Sequence, residues 1–291
     1  LKFILLIFFI TVIRLQATGM NTFERYFFLA SPADSAIVKY LSRVLVENES
    51  EYKEVFHDSL QQRLTICLPK SDQDYLEQIG GGIPDWSGGI AVPDQHLIIL
   101  RPGAYFDPRE YREVLLHEMA HIYLAVKVDT AQIPLWFNEG VAMMMSGKTF
   151  SWNDHVVISN AVIADKLLEL GEMERMLGFG LAKAQLAYAQ SLMAVQFLRL
   201  RFGEDIIGKL LDGLAKGQSW DEIFNRYTGS DTGQFSLELQ NYIRQEYRWA
   251  YVLQIKYLFW IMVAILLTAG FVAIKIRNRR ILKEWEKNES I

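Results

Sequence analysis

The eighteen positions from Tyr257 to Ile274 carry no charged residue, and this run limits the possible folds more than any other feature. As a helix it would be about 27 Å long at 1.5 Å per residue, close to the roughly 30 Å of a bilayer's hydrocarbon layer. Lys256 stops the run on one side, and Lys275, Arg277, Arg279, Arg280 and Lys283 follow it on the other. Tyr257 and Trp260 sit where interfacial aromatics belong, and a basic cluster of this kind stays in the cytoplasm. A helix apolar on every side suits a buried core or a membrane span, and the charges that flank this one favour the span. The expectation is a transmembrane helix over 257–274, a basic cytoplasmic tail over 275–291, and the bulk of the chain outside the cytoplasm.

The other end agrees. Lys2, a charge-free run from Phe3 to Ile13, and Arg14 read as a secretory signal peptide over residues 1–19. The run is too short for a comfortable span, although an uncleaved signal anchor is the alternative. Between the two ends there is room for a sizeable hydrophobic core. The net charge of −4 gives no reason to expect nucleic acid as a partner. The one cysteine, Cys67, has no partner for an intramolecular disulfide; in its strand-like setting it reads as a buried structural thiol.

Residues 20–105 mix strand-like and helix-like stretches. Strands are expected at 23–29, 63–68 and 96–100, with a helix over 32–46. The glycines at 80–82 and 88–89 mark a loop region, and no Gly-Lys-Ser/Thr follows them to suggest a phosphate loop. From residue 106 to 250 the pattern is helical. Asp107-Pro108-Arg109-Glu110 is a helix start, Ser151 and Ser219 repeat the capping logic, and Gly147, Gly203 and Gly217 read as helix ends. Strands first and helices after imply an α+β domain.

His117-Glu118-Met119-Ala120-His121 lies within the helix that Asp107 caps. Residues four apart share a helix face, so both imidazoles can reach one metal ion. Glu118, one step round, is placed to take a proton from water. Downstream, Pro134 opens a second helix through Trp136-Phe137-Asn138-Glu139-Gly140, where Glu139 stands among apolar neighbours and requires a cation or a hydrogen-bond network. His155 is a weaker candidate for the site, Asp129 a candidate to orient a ligand histidine, and the methionines 143–145 read as core.

The pairing of His117-Glu118-x-x-His121 with Trp136-Phe137-Asn138-Glu139-Gly140 resembles the gluzincin metallopeptidases, specifically the small bacterial peptidase MA-like domains, over most of residues 20–250. The resemblance implies a zincin-like fold with one Zn2+ held by His117, His121 and Glu139, and Glu118 as general base. It also implies that Tyr188 faces the site as an oxyanion stabiliser, and that the strand at 96–100 forms the sheet edge that aligns a peptide or protein substrate. The membrane would be the bacterial cytoplasmic membrane. The Gly-Ala-Met-Glu-Asn signature of the aminopeptidase branch is absent, which favours an endopeptidase. Two other readings stay open: a non-catalytic peptide- or protein-binding module on the same fold, and a hydrolase of envelope peptide cross-links.

Overall fold

A computed structural model describes residues 20–23, 25–80, 88–102 and 107–289. The expected signal peptide and most of the glycine-rich stretch lie outside the described residues. Five short strands form one mixed sheet: β1 (Met20–Phe23), β2 (Tyr26–Leu29), β3 (Leu64–Cys67), β4 (Gly89–Val92) and β5 (Leu97–Leu100), in the order β1-β2-β3-β5-β4. The expected strand at 23–29 is therefore two, folded into an antiparallel hairpin with Phe23 opposite Tyr26. β2, β3 and β5 run parallel, and β4 returns antiparallel to β5.

Helix α1 (Ser35–Phe56) makes the crossover from β2 to β3, and α2 (Asp72–Ile79) follows β3. Period-2 alternation sorts the sheet's side chains between two cores. Phe28, Ile66, Ile98 and Leu100 face the large core that α1 shares with α3 (Pro108–Lys127), whereas Cys67 and Ile99 pack with Tyr75 of α2 on the other face. Cys67 is buried as its setting implied, and burial pushes its thiol up to about 11.

Helices make up the rest of the chain. α4 (Leu135–Met145) packs on α3, α6 (Leu181–Phe202) packs on α4, and α5 (Trp152–Ile163) packs on α6; α7 (Ile206–Ala215) touches α1, α3 and α6, with α8 (Trp220–Thr228) and α9 (Thr232–Glu246) following beyond it. The starts follow local chemistry. Asp107 accepts from the Arg109 N–H at 2.8 Å, and Ser151 and Ser219 form capping boxes with Asp154 and Glu222. Gly147, Gly203 and Gly217 take positive φ just beyond α4, α6 and α7. α10 (Trp249–Glu289) is one continuous helix, and within it Phe259–Leu282 is long and apolar enough to cross a membrane, with none of it buried against protein.

One expectation about the sheet is overturned. The strand at 97–100 is not an edge: β3 pairs with it on one side and β4 on the other. The edge beside α3 is β4, which begins inside the stretch expected to be loop. Gly88 before it and Gly89 at its first position weaken the sequence signal for a strand, yet they are what allows it there. A Cβ on Gly89 would lie 2.9 Å from Val114 Cγ1 and 3.2 Å from Glu118 Cγ, so only glycine lets this strand rest against α3.

Candidate metal centre

α3 runs through the middle of the molecule, and the face it turns to the core is apolar: Leu115, Leu116, Met119, Ala120 and Ile122 are buried. Tyr52 of α1 donates a hydrogen bond to the Leu116 carbonyl, fixing the helix one residue before His117. His117 and His121 lie on the remaining stripe, half-buried, with ring centroids 4.7 Å apart.

α4 supplies the third group. It begins at Pro134, which has no side-chain cap to offer, and Glu174 fills the role from the 3-10 turn at Leu170–Gly178. Both its carboxylate oxygens accept from the Leu135 N–H, at 3.0 and 3.1 Å. Trp136 and Phe137 lock the helix into an aromatic cluster with Trp220, Phe224 and Phe235 of α8 and α9. On its far side α4 lies backbone to backbone with α6: a Cβ on Gly140 would fall 2.3 Å from the Ser191 carbonyl oxygen. This packing turns Glu139, 8 % exposed, towards the histidines.

His117 Nε2 and His121 Nε2 are 3.1 Å apart, and Glu139 Oε2 stands 3.5 Å from the first and 3.9 Å from the second. Two atoms bound tetrahedrally at zinc distances are about 3.3 Å apart, so the three donors have nearly closed on the spacing one ion requires. His121 Nδ1 lies 2.8 Å from Asn138 Oδ1. That bond places a proton on Nδ1, so that when Nε2 gives up its own proton its lone pair is aimed into the cluster, the tautomer a metal ligand needs. Three convergent donors of this chemistry fit a divalent metal ion.

The two carboxylates are pushed in opposite directions. Burial raises Glu118 to about 7, with the charge of Glu139 adding to it; His121 and a hydrogen bond from the Ala91 backbone N–H pull the other way. Burial also acts to raise Glu139, but the contact with His117 and the charges of both histidines outweigh it and hold Glu139 below the usual carboxylate range. The Ala91 bond has a geometric origin. Arg101 N–H bonds the Gly88 carbonyl, so by antiparallel alternation Ile90 and Val92 bond β5 while Ala91 points its N–H outward from the edge. That free side is the one Glu118 meets.

Tyr188, on α6, is half-buried. Burial lifts its hydroxyl well above the usual range, and the charges of Glu139 and Glu118 lift it further, which places it within electrostatic reach of both. His155 instead bonds Tyr247 through Nδ1 at 2.8 Å, and Asp129 caps the turn at Thr130–Gln132. The residue that orients His121 is therefore Asn138 and not Asp129, because the start of α4 swings the side chain preceding Glu139 against the imidazole. The methionine run is core: Met143 and Met145 are buried, and Met144 packs against the main core.

The sequence model of the peptidase MA superfamily matches residues 59–245, a span that holds every residue of this centre. A comparison with curated proteins gives no match. With well over half its length aligned to that model and the histidine–glutamate cluster inside the match, the chain belongs to the peptidase MA superfamily.

Proposed function

We propose that this protein is a membrane-anchored, zinc-dependent peptidase of zincin-like fold, with His117, His121 and Glu139 as zinc ligands and Glu118 as general base. The convergence of the three donor atoms within 4.8 Å of one another, with Glu118 beside them, carries the reading. When bound, zinc supplies Lewis-acid polarisation of a scissile carbonyl and acidifies water. The chain's own residues do the rest. Glu118, buried beside the three donors, takes the proton of the attacking water and delivers it to the leaving amine as the C–N bond breaks. Tyr188 is the candidate donor to the oxyanion. Substrate binding by strand addition is assigned to β4, the sheet edge that runs alongside α3. Residues 20–250 form the catalytic unit in this reading. They lie outside the bacterial cytoplasmic membrane, with α10 as anchor and residues 275–291 as the cytoplasmic tail.

The test is metal content and peptide hydrolysis of the detergent-solubilised full chain, beside Glu118→Gln and His121→Ala. The proposal expects about one zinc per chain, retained in Glu118→Gln with nearly all hydrolysis lost, and zinc lost in His121→Ala. A folded wild-type chain without bound zinc, or a fully active Glu118→Gln, would overturn it.

A further inference from the structure

Among the described residues, the most exposed large hydrophobic side chain is Trp152, at 78 %. It belongs to the first turn of α5 and is not in the metal centre. Val156, one turn on, is also exposed, and the two share a helix face at i and i+4. An indole left this open in water is unfavourable, whereas the headgroup region of a bilayer is where tryptophan concentrates.

Its neighbours give the reason to invoke a bilayer. α5 packs against α10, and His155, between Trp152 and Val156 in sequence, bonds the Tyr247 hydroxyl. Tyr247 stacks loosely on the exposed Trp249, with ring centroids 5.8 Å apart. Only Tyr247 and Arg248 separate α9 from α10, so no flexible tether lets the domain stand away from its anchor. From Trp249 to Ile274 the only charged residue is Lys256. As helix those residues measure about 39 Å, close to the roughly 40–45 Å of a bilayer with its headgroups. With Lys275 at the cytoplasmic face, Trp249 falls at the outer headgroup level, and the tip of α5 lies beside it. Asp154 and Glu246, whose charges reach Tyr247, flank this point. Arg248, exposed between Tyr247 and Trp249, offsets one of these charges, so the tip carries no basic patch to attract an anionic surface, and apolar, interfacial insertion is the source of affinity.

We propose that Trp152 and Val156 of α5, with Trp249, form a second membrane contact that seats the domain in the outer headgroup region of the bilayer crossed by α10. The inference rests on the membrane-anchor reading above. The domain is held against the lipid at two places, so it cannot swing about the helix.

The experiment uses the full chain in phosphatidylcholine nanodiscs with a nitroxide attached at Asn153→Cys, exposed beside Trp152 in the first turn of α5, and read by collision with oxygen and with a nickel chelate. Cys67 is buried, and unlabelled-background controls use the parent chain. Ile265→Cys, inside the apolar segment, reports the anchor, and Gln73→Cys, exposed on α2, reports water. The expected result is nickel accessibility at 153 several-fold below that at 73 and above that at 265. Nickel accessibility at 153 equal to that at 73, with 265 shielded, overturns the second contact alone. A water-exposed 265 overturns the anchor and this proposal with it.

Discussion

A histidine ligates only through a ring nitrogen that carries a lone pair, and Asn138 decides which one His121 presents. Removing a partner of this kind lowers metal affinity by about 10–100-fold. Asn138→Ala should therefore release zinc to a competing chelator that much more readily while the far-UV spectrum is unchanged. Equal affinity in the two proteins would detach Asn138 from the site. Glu118 poses a question of protonation. With metal removed, its carboxyl sits at about 7 against an ordinary 4.5, so the folded chain holds that proton more tightly than the unfolded one. The stability this contributes is complete below the unfolded value and is lost as pH rises through about 7. The difference corresponds to roughly 3 kcal/mol. In chelator, Glu118→Gln should gain stability over the natural chain between pH 4.5 and 7.5, measured as the difference in Tm; a constant difference would contradict the burial argument. That His117 and His121 share a helix face was legible in the sequence because helical spacing is local, whereas Glu139 stood out only as a carboxylate among apolar neighbours on another helix. Asn138's role was not, since Asn138 and Asp129 are equally polar on paper and only the start angle of α4 distinguishes them.

At the scale of elements, the site depends on how closely three helices and one strand approach. The contact of α4 with α6 at Gly140 is made against the Ser191 backbone, which cannot move aside as a flexible side chain would. Gly140→Ala should destabilise the fold by about 1–3 kcal/mol, despite alanine's better helix propensity, as read from urea unfolding. A neutral or stabilising result would mean that the helices are further apart. Helix starts were legible because a cap satisfies its own next turn: Asp107, Ser151 and Ser219 all act as expected. α4 differs from these three, with its cap supplied from Glu174, a partner no local pattern identifies. The sheet edge was misassigned for a related reason. Branched residues at 97–100 advertise a strand but say nothing of its neighbours, and the glycines that admit β4 beside Glu118 read as loop.

For the whole molecule the controlling feature is α10, a single helix separated from the domain's last helix by two residues, whose candidate span Phe259–Leu282 is free of charge up to Ile274. Lysine at the centre of such a segment costs about 2.5–3.5 kcal/mol, and isoleucine or leucine is favourable there. The double variant Ile265→Lys, Leu266→Lys should consequently shift the chain from the carbonate-resistant membrane pellet to the supernatant. Retention in the pellet at the natural level would show that something other than α10 holds it there.

Features that depend on periodicity and neighbouring residues were determined by the sequence alone: the apolar run, the two histidines one turn apart, the helix caps and the buried strand around Cys67. Contacts between residues far apart in the chain were decided by the tertiary structure. Glu139 meets the histidines because α4 packs on α6 at Gly140, Ala91 reaches Glu118 because β4 closes the sheet beside α3, and Trp152 stands at the foot of α10 because His155 bonds Tyr247. Local pattern follows from backbone geometry that every window of sequence contains. The meeting of distant groups follows from how apolar faces exclude water together, which no single window holds.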